Sequence, residues 1–337
     1  MTVKARNQNV DILRGIAAVL MVLGHSFIVY PINISEVPWC VAISHYIYTF
    51  HMELFFILAG FVYHCVNYKS YIKKKIERIA VPYFVFGLGA MMLRAFGGAA
   101  INGVEPLNEG VQKLLLHGGG YWFLYVSFLI FVFYPFIDKV LSRNIWTEIV
   151  FGILMLAMDQ CLSITSWLAL DTVVHYLPYF ILGHLVAKHN GGGVQTKRTS
   201  MLVALVVYAG LDCFENYTGE KLGAVLHFIR AIAICLIIYY IVVVMTEKVK
   251  ENRVVELSKR LLIGASKYSL QIYLFNGYLL TIIRIIVCNV LKVRYPLIIV
   301  LSIWIGDLGI SLILCKHILP KLPLLSKLCG INIGETR

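Results

Sequence analysis

Apolar residues run through the chain in long blocks separated by short polar clusters, and ten of these blocks approach the length of a membrane span: 10–30, 42–66, 79–97, 121–140, 145–165, 173–189, 199–216, 222–246, 262–290 and 296–315. An α-helix needs about 20 residues to cross a hydrocarbon core of about 30 Å, so the shorter blocks require tilt or help from neighbouring helices. The pattern predicts an all-α polytopic membrane protein with about ten transmembrane helices. No loop is long enough for a soluble domain, and 1–337 reads as a single transmembrane domain. The first block breaks its own pattern, because DILRGIAAVLMVLGHS carries Asp11, Arg14 and His25. Eleven residues separate the arginine from the histidine, about 3.06 helical turns, so both groups lie on one stripe. Ionisable groups at membrane depth are costly and normally face a bundle interior or a cavity where they have partners.

Composition agrees with the blocks. Hydrophobic residues make up 59% and charged residues 14% of the chain, against roughly 25% charged in soluble domains, and the mean hydropathy is +0.79. The net charge of +12 does not imply nucleic acid, because the basic residues are spread by topology and not gathered on one solvated surface. Of the 30 Lys and Arg, only Lys113, Lys221, Lys292 and Arg294 fall on the side opposite the N-terminus, while Arg14, Arg94, Arg230 and Arg284 lie inside predicted spans. The positive-inside rule therefore puts both termini in the cytoplasm. With that direction, His25 stands about 21 Å beyond Asp11 by helix rise, roughly two thirds of the way across. Lys4 and Arg6 resemble the basic start of a signal peptide, but no small-residue cleavage site follows and Arg14 does not suit a cleavable segment, so the block reads as a retained helix. The eight cysteines occur singly, without CxxC or His/Cys zinc spacing, and no metal is expected. The glycine runs 118–120 and 191–193 read as loop punctuation.

Several short motifs resemble those of the acyltransferase type 3 membrane family, which O-acylates sugars and other surface molecules from acyl-CoA. Asp11, Arg14, Gly15 and His25 match the first-helix pattern of Arg, ten residues, His. FHMELFFILAGF (Phe50 to Phe61), KKKIERIAVPYF (Lys73 to Phe84), WFL (Trp122 to Leu124) and YSLQIYL (Tyr268 to Leu274) resemble later motifs, in the same order. Ala59 stands where many relatives have Ser, and Asn276 where many have His, so no second catalytic histidine is carried to that position. The resemblance implies a bacterial plasma-membrane O-acyltransferase with no bound cofactor. Acetyl-CoA, or another acyl-CoA, would be the cytoplasmic donor; a glycan or glycolipid hydroxyl on the outer side would be the acceptor.

The residues support such chemistry on their own terms. Acyl transfer to an alcohol needs a base for the hydroxyl proton, and imidazole suits it at neutral pH, which makes His25 the candidate base. Glu53, alone in an apolar run, is the candidate carboxylate to orient and charge-stabilise that imidazole. Arg14 either binds donor phosphate or pantetheine carbonyls, or pairs with Asp11 one turn away. Lys75 and Arg78, in an inner basic run with Lys73 and Lys74, serve as a topology signal and lipid contact, and are candidates for drawing in the CoA nucleotide. Trp122, Tyr273 and Asn276 are candidates for substrate binding, and Arg230 with Asp212 for a structural ion pair. A transporter or exporter that uses the Arg/His/Glu line is the competing reading, although the inverted repeats and paired broken helices that would mark one are not found.

Overall fold

A computed structural model describes residues 7–96, 106–141, 144–189, 198–247 and 253–331. The termini and the 191–193 glycine run, for which the sequence makes predictions, lie outside the described residues. The described residues are helical and contain no strand. Among the described residues, seven helical stretches are long and apolar enough to cross a membrane: Pro38–Phe61, Tyr68–Phe96, Leu107–Leu141, Trp167–His189, Ala224–Glu247, Ser269–Val290 and Pro296–Lys321. Three further blocks are helical but fall short. α1 (Gln8–His25) carries Asp11 and Arg14, and the helix Ile145–Cys161 has 17 residues, about 25 Å by rise. Arg198–Thr218 contains Asp212 and Glu215 and buries only Ala204.

α1 packs against the two helices that follow it and against four helices in the C-terminal third of the chain. Its start is set by Asn7, whose side chain accepts from the backbone N–H groups of Asn9 and Val10, with Asp11 favourably placed in the first turn. The second span is broken into α2 (Pro38–Tyr48) and α3 (His51–Phe61). The break is supported by side chains. Thr49 Oγ1 donates to the His45 carbonyl at 2.7 Å, and His51 Nδ1 donates to the Ile47 carbonyl at 2.8 Å. Both carbonyls have lost their regular helical donors at the break, and a bilayer tolerates irregular backbone only when such groups are satisfied inside the protein.

The third span also departs from the predicted block. α4 (Tyr68–Lys75) passes through a π-helical stretch, Ile76–Ala80, into α5 (Val81–Phe96). The register shift precedes Pro82, which has no N–H to offer a regular ladder. Next come α6 (Leu107–Leu116), α7 (Trp122–Leu141), α8 (Ile145–Cys161), α9 (Leu170–His189), α10 (Arg198–Thr218) and α11 (Ala224–Glu247). The predicted block 262–290 is two helices, amphipathic α12 (Arg253–Lys267) and α13 (Ser269–Arg284), parted at Tyr268; α14 (Pro296–Ile313) and α15 (Pro323–Leu328) complete the order.

Small residues set two close crossings. A Cβ on Gly15 of α1 would lie 2.1 Å from the Leu262 carbonyl of α12. Between α3 and α9 the fit is reciprocal: a Cβ on Gly60 would lie 1.9 Å from the Phe180 carbonyl, and one on Gly183 would lie 1.9 Å from the Ile57 carbonyl. Close backbone approach through glycine is the usual basis of helix packing where lipid removes the hydrophobic drive. Aromatic side chains from α3, α7 and α9, including Phe56, Tyr134 and Phe180, fill the core beside this crossing.

Candidate active site

The alternation of helices gives the bundle two ends, fixed by contacts at each. Thr246 of α11 donates to Asn9 Oδ1 of α1 at 3.0 Å at the Arg14 end. At the His25 end, Arg284 of α13 donates to the Tyr30 carbonyl at 3.3 Å. Between the two ends lies a cavity of about 200 Å³, walled by Arg14 and Met21 of α1, Met52, Phe55 and Ala59 of α3 and Val62 just after it, Phe123, Leu124, Ser127 and Phe131 of α7, and Ser269, Leu270 and Tyr273 of α13, with Ile79. The α3 wall, Met52 to Val62, runs about 15 Å at helical rise, so the space is a long slot. Ala59 lines it where a larger or polar side chain would narrow it.

Arg14 is at one end of the slot. Its guanidinium lies 4.0 Å from Asp11 and keeps 28% of its side-chain surface exposed, so pairing with Asp11 and reaching into the slot coexist. Lys75 reaches the same region, with Nζ 3.4 Å from the centre of the Phe131 ring that helps wall the slot. Arg78 lies in the π-helical stretch directly before Ile79. The structure thus brings Arg14 and Lys75 together.

His25 stands at the opposite end of α1, one turn beyond the slot-lining Met21, and retains exposed surface there. Among the described residues its ring makes no hydrogen bond. The expected pairing with Glu53 is not what the structure shows: His227 Nε2 donates to Glu53 Oε1 at 3.2 Å. The reason is angular. His51 and Glu53 are two residues apart on α3, about 200° around the helix, and so serve opposite sides. It is the His51 side that faces α1. Tyr48, whose ring lies 5.1 Å from that of His51, brings its hydroxyl within 3.2 Å of where a Gly24 Cβ would stand. The backbone bond of His51 Nδ1 to Ile47 leaves Nε2 as the nitrogen without the proton.

Glu53 instead enters a polar group formed with α8, α9 and α11. Its side chain is 3% exposed, and Oε2 is buried without a hydrogen-bond partner among the described residues. Ligand-capable atoms of Glu53, His175 and His227 lie within 4.8 Å of one another. His175 Nδ1 donates to Asp159 Oδ2 at 2.8 Å. These two histidines sit in the sequence as ordinary helix-packing candidates, and only the fold unites them with Glu53.

The substrate-binding candidates divide. Tyr273 lines the slot, edge-on to Phe123 with ring centroids 5.6 Å apart. Trp122 is stacked at 5.4 Å on Tyr176, which stacks at 4.5 Å on Phe56, so one face of the indole is committed to packing. Asn276 is buried and donates to Asp307 Oδ2 at 2.8 Å, tying α13 to α14. The expected Arg230–Asp212 pair is corrected as well. Arg230 pairs with Glu215, and Asp212 accepts from His45 Nε2 at 3.0 Å. Three residues separate Asp212 from Glu215, which places both on one face of α10, and the nearer carboxylate takes the arginine.

A family model described as an acyltransferase domain matches residues 7–311 of the chain. Among curated proteins, the chain is similar to nodulation protein NolL of Mesorhizobium japonicum, with 24% identity over 221 residues, 64% of this chain and 57% of that protein. The chain thus spans a little over half the length of this relative. No solved structure matches.

Proposed function

Because the chain belongs to the acyltransferase 3 family of multi-pass membrane acyltransferases, we propose that it moves an acetyl group from cytoplasmic acetyl-CoA to a hydroxyl of a surface glycan or glycolipid precursor, with both termini in the cytoplasm of a bacterial cell. The observation that carries this reading is the slot, which has Arg14 in its lining and Lys75 against its Phe131 wall, and which reaches Met21, one turn short of His25. A donor with anionic phosphates and a long thin arm matches it: phosphates meet the guanidinium and ammonium groups, the arm lies along Phe55, Ala59 and Phe131, and the thioester arrives near His25. Arg78 extends the basic opening. Tyr273 flanks the arm within the slot, and Trp122 and Asn276 act as packing supports of its walls.

His25 serves as the general base. It takes the proton from the acceptor hydroxyl as that oxygen attacks the thioester carbonyl; the tetrahedral intermediate collapses, the C–S bond breaks, and the imidazolium returns the proton to the departing thiolate. The exposure of His25 suits an acceptor that arrives from the side opposite the donor. His51, held by Ile47, is the candidate to position it, and Glu53 acts elsewhere. The experiment is to reconstitute the purified chain and follow acetyl-CoA consumption by mass spectrometry, with and without cell-envelope glycans. The expected result is thiol release that rises with the glycans and disappears in a folded His25→Ala protein. Full turnover in that variant would overturn the mechanism.

A further inference from the structure

The buried group around Glu53 is not used by the acyl-transfer scheme, and a carboxylate there needs an explanation. A carboxylate accepts at about four lone-pair sites, and burying it without partners is costly. Among the described residues Oε1 has the single donor His227 Nε2, and Oε2, in a side chain 3% exposed, has no hydrogen-bond partner. Among the described residues Glu53 pairs with His227. Two separate ion pairs, His227–Glu53 and His175–Asp159, would account for the histidines but leave the second Glu53 oxygen unsatisfied.

We propose that Glu53, His175 and His227 bind one zinc ion, with Asp159 holding His175 in place. Three features support it. The donor atoms of the three residues already converge within 4.8 Å. The Glu53–His227 separation of 3.2 Å is close to the edge of a tetrahedron with bonds of about 2.0 Å, which is about 3.3 Å. His175 donates Nδ1–H to Asp159, the arrangement by which a carboxylate fixes the tautomer of a ligating histidine and leaves Nε2 for the metal. Two imidazoles and a carboxylate are a borderline donor set suited to Zn²⁺, and three protein ligands leave a fourth position for water. Binding replaces the Nε2 proton of His227 with the metal, the proton leaving to solvent or passing to Nδ1. The Glu53 carboxylate then faces a cation.

The position makes the site reachable. His227 stands 19 residues before Thr246, about 28 Å along α11 from the contact with Asn9; His25 stands 16 residues beyond Asn9, about 24 Å along α1. Both are near the same end of the bundle. The side chains of His175 and His227 keep 29% and 20% of their surface accessible. The site ties α3, α9 and α11 together beside the crossing at Gly60 and Gly183. The inference does not depend on His25 being a base.

The test uses the full chain in lipid nanodiscs, stripped with chelator and titrated with Zn²⁺, and in parallel with Co²⁺ for its visible spectrum. One zinc per chain, a four-coordinate cobalt spectrum and a rise in melting temperature with zinc are expected. His175→Ala and His227→Ala should each weaken zinc binding at least 100-fold. Asp159→Asn, which keeps all three ligands, should weaken it by about 10–100-fold. The melting temperature of each variant without zinc separates lost binding from lost folding. Absence of stoichiometric zinc in the wild type, or unchanged affinity in a folded His175→Ala or His227→Ala protein, would overturn the proposal.

Discussion

A helix turns about 100° per residue, so His51 and Glu53, though nearly adjacent, face different neighbours. That separation assigns each polar group its own chemistry. His25, free of ring hydrogen bonds among the described residues and placed beyond the slot, is left for the acceptor proton. Replacing it by Ala should lower turnover by about 10²–10⁴ while membrane abundance stays the same, the loss expected for a general base; acetyl transfer measured on equal amounts of folded protein checks this. Arg14 touches Asp11 and the slot together. If it holds donor phosphate equally in ground and transition states, Arg14→Ala should raise the KM for acetyl-CoA with little change in kcat, which initial-rate kinetics at varied acetyl-CoA would show. Glu53→Gln provides the contrast at this scale. Since the carboxylate bonds His227 and not His25, the variant should keep the pH profile of acetyl transfer and lose zinc affinity. The sequence displayed Asp11, Arg14 and His25 as one stripe because their spacing lies within a single helix. Asp159, His175 and His227 come from three other helices, one of them 174 positions from Glu53, and no local spacing could announce their meeting.

At the scale of elements, the breaks and crossings were the parts least open to reading from hydropathy. The Thr49–Phe50 break is invisible to an apolar average because its cause is hydrogen-bonding competition by Thr49 and His51 side chains within an otherwise apolar span. The division at Tyr268 falls within ASKYSLQ, a polar interruption too short to stand out once it is averaged with the apolar residues further out on either side. Glycines are ambiguous in sequence for the same reason: Gly60 and Gly183 are pressed against carbonyls, whereas Gly210 of α10 has nothing within 4 Å of a would-be Cβ. The two classes should respond oppositely. Gly60→Ala or Gly183→Ala must push α3 and α9 apart and should destabilise the protein by about 1–3 kcal/mol or more. Gly210→Ala fills open space and removes a flexible residue from a helix interior, so it should be neutral or stabilising by up to about 1 kcal/mol. Thermal unfolding in one detergent for all three variants measures the difference. Equal melting temperatures would show that the α3–α9 crossing relaxes freely.

For the whole molecule, the directional argument depends on which end of the bundle faces the cytoplasm. The Lys/Arg distribution puts the Arg14 end inside, and internal contacts map other residues onto the same axis. α12 meets α1 at Gly15, so its exposed Arg260 belongs to the Arg14 end. Arg284 bonds Tyr30, which carries the following Asn289 to the His25 end. His45, ahead of the break in the second span, bonds Asp212, and Tyr217 lies just beyond it, 92% exposed, at that end as well. Of the eight cysteines, Cys65, Cys161 and Cys213 are not buried and would be replaced by Ser before labelling. In that background, Asn289→Cys and Tyr217→Cys should react in intact cells with a membrane-impermeant maleimide, and Arg260→Cys only after permeabilisation. This pattern would place the basic mouth of the slot where acetyl-CoA is made and the exposed His25 where surface glycans are found, so that the acyl group, and not the cofactor, crosses the membrane. The reverse pattern would put Arg14 and Lys75 outside, where no acyl-CoA is available to them, and the slot could not then serve as the donor path.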